Sequence, residues 1–422
     1  MTRDKTDYVL AVQAPAYPLG DGRFATESAF AAHLKMLRAG LAPTFDRLVV
    51  VAPTISDSEY AKSRDVLAEI SVDGDRIALV PAFNPDVTRL QFWTREVWPL
   101  WRRLGKAMST AGYVHSGIAS DLWKPYLALL NARTWLRRVP STVVVDIDFR
   151  KTSQRNYASG AWSRKNYLVN RYLHDPFKHA QVWLAVRFSN LVLLKSPSMV
   201  ADFGGGRPHV KDFLDAAHSE ADVVSDDDLD RRLASRREPG RRLEAIYFGR
   251  LVPYKGIDYV VDAIARARAT GANVHLTLVG AGESLEGLRA QAESLGLEDA
   301  ITFLDPVKYG PELFDLVDRA DVAVAAPRVE DTPRAALDAM ARGLPIFAFD
   351  IDYFRTLAEK SGAVALAQWP SSASLAEQLA KLQKDRAAVE AMARRAAPFA
   401  RSNTQEIWLR RRIAWTMEHR GR

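Results

Sequence analysis

Short β-branched runs alternate with helix-length stretches along this chain, and the alternation is laid down twice. In the first half, strand-like runs fall near Tyr8–Ala14, Arg47–Ala52, Ile77–Pro81, Tyr113–His115, Thr142–Asp148 and Leu191–Leu194, with helical periodicity over Glu27–Arg38 and Asp121–Trp135. In the second, they fall near Ala245–Phe248, His275–Val279, Ile301–Leu304, Val322–Ala325, Ile346–Phe349 and Ala363–Leu366, each followed by a helix-length segment. Strands joined through helices pair in parallel, so the pattern predicts an α/β fold of two doubly wound, Rossmann-like domains facing each other across a cleft. The boundary falls in Gly204–Arg242, which holds the triplet Gly204, Gly205 and Gly206, the acid run Asp226–Asp228 and a Pro239-Gly240 break. The expected division is a domain at 1–203, a linker at 204–242, a second domain at 243–395 and a terminal helix at 396–422 crossing back to the first. For 422 residues, two domains of ordinary size fit better than one.

Composition narrows the chemistry. With 0 Cys, a disulfide framework, a thiolate metal site and a cysteine nucleophile are excluded. No apolar run approaches the roughly 18 residues of a membrane span, and no signal-like run follows Met1–Asp7, so the expected location is cytoplasmic, at most peripheral to the inner face of a membrane. The net charge of +7 suits an anionic partner, whether a nucleotide diphosphate, an acidic membrane surface or nucleic acid.

The second half concentrates the chemistry. After the strand ending at Phe248, the loop Gly249-Arg250-Leu251-Val252-Pro253-Tyr254-Lys255-Gly256 leaves the carboxyl end of a strand, where open α/β sheets bind ligands. Arg250 offers a bidentate fork and Lys255 a point charge, a pairing suited to a diphosphate; a solvated loop with two ordinary charges fits the same residues. Beyond the strand Val322–Ala325, Thr332 is placed to cap a short helix with Pro333 and Arg334 in its first turn and Gly343 at its end. That helix would aim free N–H groups at the ligand, with Glu330 just before it and Asp338 about two turns along. Carboxylates do not hold phosphates, but they accept hydrogen bonds from sugar hydroxyls.

From Tyr247 to about Leu366 the chain resembles the donor domain of the GT-B glycosyltransferases of family 4 (glycosyl transferases group 1). The resemblance rests on Gly249–Leu251 with Lys255-Gly256, on Val279–Gly282 with its Gly280, and on Glu330 running through Ala339-Met340-Ala341 to Pro345. It implies that Arg250 and Lys255 bind the donor diphosphate, Glu330 the transferred sugar, Asp338 the ribose, and backbone near Val307 the base. In the family the second acid is a glutamate, one methylene longer than Asp338. Asp331-Thr332-Pro333 also replaces the family's glycine-rich stretch, which leaves the sugar specificity open.

The resemblance further implies that an early loop admits the donor close to the backbone, a place that Gly20 and Gly22 fit, though an ordinary turn fits them equally. The family's histidine facing the reacting sugar falls nearest Asp146. On a strand, Asp146 and Asp148 share one face and could orient the acceptor hydroxyl or take its proton, while plain strand-end aspartates remain as apt. An Asp-x-Asp pair also resembles the metal site of the GT-A fold; with Arg250 and Lys255 supplying charge, no metal is expected. His115 and Arg150 are acceptor-side candidates, His115 with a structural role as the plainer reading. Between Phe149 and Phe188, eight Arg/Lys stand against one acid with eight aromatics interleaved, a face for an anionic or polyprenyl-linked acceptor or a membrane surface, or a core with a solvated rim. Single-stranded nucleic acid ranks lower, since no binding motif accompanies these residues.

The expected function is a retaining, metal-independent hexosyltransferase that uses a UDP- or GDP-sugar as co-substrate, without a cofactor, on a glycan or lipid-linked acceptor in cell-surface polysaccharide assembly. A nucleotide-sugar epimerase, which would consume donor without acceptor, and a degenerate sugar-nucleotide-binding scaffold are the rivals. A dinucleotide oxidoreductase is set aside because Leu285 stands where its fingerprint needs a third glycine.

Overall fold

The computed structural model describes residues 6–64, 67–238 and 240–421. The chain start at 1–5, Pro239 of the expected break and Arg422 at the end of the expected terminal helix lie outside the described residues. Two compact units result: Met1–Asp146 with Leu168–Phe213 and Leu409–Arg422, and Ile147–Tyr167 with Leu214–Trp408.

The first unit contains β1 (Asp7–Ala11), β2 (Tyr17–Gly20), β3 (Arg23–Glu27), β4 (Arg47–Ala52), β5 (Leu67–Ser71), β6 (Ile77–Pro81), β7 (Ala111–Gly117), β8 (Ser141–Val145), β9 (Leu191–Leu194) and β10 (Val210–Asp212). Seven of these form a parallel sheet in the order β10-β9-β8-β7-β1-β4-β6. Alternating residues feed its two faces. Tyr8, Leu10, Leu48 and Val50 enter one core, Val9, Ala11, Val49 and Val51 the other, which is why these strands read as continuous apolar runs. Leu409, with Ile413 and Met417, returns from the chain's last helix to the first of these cores.

The second unit contains β11 (Leu243–Phe248), β12 (Val274–Val279), β13 (Ile301–Leu304), β14 (Val322–Ala325), β15 (Ile346–Phe349) and β16 (Val364–Ala367), all parallel, in the order β13-β12-β11-β14-β15-β16. Both parallel sheets share one plan: the first strand sits inside, two successors build outward on one side, and the rest build on the other. The chain therefore reverses direction across the sheet between β1 and β7, and again between β11 and β14. At such a switch point the loops leaving adjacent strands splay apart at their carboxyl ends.

Several details differ from the sequence reading. β8 stops at Val145, so Asp146 and Asp148 lie past the strand and the alternation that would place them on one face does not reach them. The stretch Asp121–Trp135 becomes helical only at Tyr126; the chain bends through residues 122–124 ahead of Pro125, which disfavours helical geometry in the residue before it. Gly20 and Gly22 lie not in an open loop but at the tip of the β2–β3 hairpin, Gly20 ending β2 and Gly22 in the turn, and the hairpin pairs with β5 in an antiparallel sheet the periodicity did not reveal. Within the expected linker, β10 joins the first sheet, and residues 147–167, expected in the first domain, group with the second unit.

His115 sits in β7 with its Nδ1 2.9 Å from the Tyr8 hydroxyl and its ring edge-on to Tyr8. Burial, helped by Arg412 and His33, pushes its pKa down to about 3. That is packing for a neutral imidazole, the structural role weighed above. Between pH 3 and 6.5 the unfolded chain binds more protons at this site than the folded one, so stability rises with pH in that window. We expect the first unit to lose about 2 kcal/mol between pH 7 and pH 5 through this residue. Urea midpoints at the two pH values, compared with His115→Asn, measure it; an equal pH slope in the variant would contradict it.

Candidate active site

At the switch point of the second unit, two loops leave the carboxyl ends of neighbouring strands. The first, 249–256, follows β11; the second, 326–333, follows β14. They are locked together. Gly256 adopts φ +65°, and a Cβ there would fall 2.0 Å from the carbonyl oxygen of Ala326, so only glycine lets the backbones meet. The Arg328 N–H donates to the Tyr254 carbonyl at 2.8 Å. On the other side, a Cβ at Gly280 would fall 2.0 Å from the Gly249 carbonyl oxygen, which seats the exit of β12 against that of β11.

Both cations of the first loop are where the sequence places them, in different settings. Arg250 is exposed and donates to the Tyr254 hydroxyl at 3.0 Å. Lys255 is largely enclosed, its Nζ 2.5 Å from Oδ2 of Asp331 on the second loop. Thus the lysine already has an anionic partner next in sequence to Glu330.

Glu330 is 9% exposed. Burial raises the pKa of its carboxyl, and Arg155, whose Nη2 lies 2.8 Å from Oε1, opposes that rise. Arg155 comes from the helix Phe149–Ala158 and lies 4.8 Å over the ring of Trp369. One turn earlier on the same face of that helix, Lys151 is ion-paired with Asp352. The helix is anchored by Asp148, whose carboxylate accepts from the N–H groups of Arg150 and Lys151 at 3.2 Å each. Asp148 is therefore a buried helix cap and Asp146 an exposed residue ending the first of the first unit's three segments; they do not form a joint carboxylate pair. Arg150 is half-buried in the first turn of this helix.

The helix that follows Glu330 spans Arg334–Ala341, not from Thr332. Pro333 takes the capping position with ψ 125° and makes no side-chain cap, and Thr332, preceding a proline, is held out of helical geometry. Arg334 is exposed on the first turn. Asp338, 6% exposed, accepts from the backbone N–H of His218 at 3.0 Å and from the Tyr309 hydroxyl at 3.4 Å. His218 is fully buried and its Nε2 bonds the Ala400 carbonyl. Tyr309 is 47% exposed and shares the loop after β13 with half-buried Val307, so at Asp338 the accessible group is a phenol. Sequence reasoning missed Arg155, Asp331, Tyr309 and Trp369. The only signal for Arg155 was its spacing of four from Lys151, and for Tyr309 its place on a loop leaving a strand's carboxyl end.

Residues 230–399 match the family model described as "Glycosyl transferases group 1". The chain is 27% identical to the glycogen synthase of Mycobacterium tuberculosis over 266 residues, 59% of this chain and 58% of that one. It is 29% identical to the D-inositol 3-phosphate glycosyltransferase of Nocardia farcinica over 228 residues, half of each chain. The chain thus spans between half and three-fifths of the length of these relatives. Among solved structures, Anabaena HepE, crystallised with UDP and glucose, superposes with a TM-score of 0.63 at 18% identity, covering 98% of this chain and 99% of that one. That likeness shows a shared fold, GT-B.

Proposed function

We propose, on the premise that residues 230–399 belong to the glycosyl transferases group 1 family, that this protein moves a hexose from a nucleotide-diphosphate sugar to a hydroxyl of a glycan or lipid-linked acceptor. The observation that carries the reading is the locked pair of loops at the switch point, which sets Lys255 against the segment bearing Glu330. As the bond from C1 to the diphosphate oxygen breaks, negative charge grows on that oxygen, and Arg250 and Lys255 stabilise it. Glu330, oriented by Arg155, accepts from hydroxyls of the sugar ring. The acceptor hydroxyl attacks from the leaving-group side, its oxygen bonds C1 with retention, and its proton passes to the departing diphosphate. The ribose lies by Asp338 and Tyr309, with the base (uracil or guanine) near Val307. Exposed Tyr172, Trp183 and Phe188 beside Arg171 and Arg187 support an acceptor presented at a membrane surface, as surface polysaccharide assembly would require.

Asp331 places a negative charge where a diphosphate must arrive, so the two compete for Lys255. Asp331→Asn is therefore expected to bind nucleoside diphosphates about tenfold more tightly, about 1.4 kcal/mol. Calorimetric titration of UDP, GDP and ADP into wild type and variant tests both points. A wild type that binds none of the three removes the donor reading. Equal or weaker binding in Asp331→Asn removes the competition. Nucleoside diphosphate release that depends on an added acceptor distinguishes transfer from epimerisation.

A further inference from the structure

The second unit holds a cavity of about 550 Å³ at the carboxyl ends of β15 and β16, within the usual size range of small-molecule sites. Arg155, Asp350, Arg355, Gln368 and Trp369 line it. Asp350 follows β15 directly, and Gln368 and Trp369 follow β16, so the cavity opens on the same edge of the sheet as the loops of the switch point.

Its chemistry is balanced. Arg355 Nη2 lies 2.9 Å from Asp350 Oδ1, and Arg155 is paired with Glu330. A trap for an anion would leave its guanidiniums without carboxylates; here Arg355 is matched by Asp350 within the wall and Arg155 by Glu330 outside the lining, so the wall offers donors and acceptors side by side with both cations paired. A polyhydroxyl ligand needs that arrangement, since each hydroxyl both donates and accepts. Trp369 adds a half-buried aromatic ring; Arg155 lies over one face of it, so a pyranose would have to use the other face or the ring edge.

Position supplies the second argument, which rests on the donor reading above. Across the sheet, the order β13, β11, β14 carries Val307 and Tyr309, then Arg250 and Lys255, then Glu330, the sequence of base, diphosphate and hexose in a nucleotide sugar. The cavity comes next, one to two strands or about 5–10 Å beyond. A nucleotide sugar has nothing left to place there. Arg155 belongs to both places, since it touches Glu330 and lines the cavity. We infer that this cavity is a saccharide subsite that takes a neutral sugar residue of an oligosaccharide acceptor, distal to the reacting hydroxyl.

The test is calorimetric titration of maltohexaose, cellohexaose, laminarihexaose, chitohexaose and mannohexaose, with a heparosan hexasaccharide as charged control and UDP in parallel. Wild type, Arg355→Ala, Trp369→Ala and Trp369→Phe are compared. We expect at least one neutral hexasaccharide to bind wild type, at least tenfold weaker binding in Arg355→Ala and Trp369→Ala, and a smaller loss in Trp369→Phe. Arg355 is half exposed, so Arg355→Ala keeps the test decisive should Trp369→Ala fail to fold. A wild type that binds UDP but no neutral hexasaccharide, binds only the charged one, or retains its glycan affinity in Arg355→Ala overturns the subsite. A wild type that binds no UDP overturns the donor reading, and the assignment of the cavity to an acceptor with it.

Discussion

Lys255→Ala is expected to cut sugar transfer by about two to three orders of magnitude, the scale seen when one preorganised donor is removed from a developing oxyanion, and Arg250→Ala by less, about one to two. The larger effect belongs to Lys255 because its ammonium is enclosed and held at 2.5 Å by Asp331, whereas Arg250 is exposed and bonds a neighbouring hydroxyl. Lys255→Arg should not restore turnover, since a planar fork cannot replace a compact charge in so tight a place. The measurement is kcat/KM for the nucleotide sugar at saturating acceptor, read beside the melting temperature. If Lys255 served only to pair with Asp331, the variant would melt earlier and still turn over. Turnover within tenfold of wild type in both alanine variants would take the diphosphate site away from this loop.

The second large effect is on stability. Asp321 precedes β14 with its side chain only 1% exposed, and it gathers three arginines: Arg386 at 2.9 Å, Arg241 at 3.0 Å and Arg236 at 3.5 Å. It also accepts the Glu244 N–H at 2.9 Å, which ties the entrance of β14 to that of β11. Burial pushes the Arg236 guanidinium down to about 10 even beside this carboxylate. Asp321→Ala would leave three guanidiniums crowded around an empty place, and we expect it to cost about 3–5 kcal/mol. The urea midpoint of the second unit reads this directly; a midpoint near wild type would contradict it. This cluster lies at the amino ends of the strands and the candidate site at their carboxyl ends. A partly folded population of Asp321→Ala should therefore retain the wild-type KM for the nucleotide sugar.

The parallel sheets were legible because their signal is local. Runs such as Leu191–Leu194 and Ile346–Phe349 are buried on both faces, so the strands coincide with their apolar stretches residue for residue. The antiparallel sheet of β2, β3 and β5 was not, since Tyr17–Gly20 and Arg23–Glu27 are short and half exposed and carry no such run. The placing of Asp146 and Asp148 on one strand face failed for a related reason: alternation holds only along a strand, and β8 ends at Val145.

At the site, the sequence by itself determined the class of fold, the loop carrying Arg250 and Lys255, and the placing of Glu330 before a helix that bears Asp338. Each of these is a matter of spacing within a short stretch of chain, and backbone geometry converts such spacing into position. Tertiary structure alone decided who meets whom. Lys151 pairs with Asp352 across 201 residues of chain, and His218 reaches Asp338 across 120. Arg155 became the partner of Glu330 and Trp369 only because the stretch 147–167 joins the second unit. Nothing in the composition of that stretch distinguishes a cation aimed at a buried carboxylate from one aimed at water. The choice rests on the balance between desolvation and pairing, which exists only once the chain has closed around both charges.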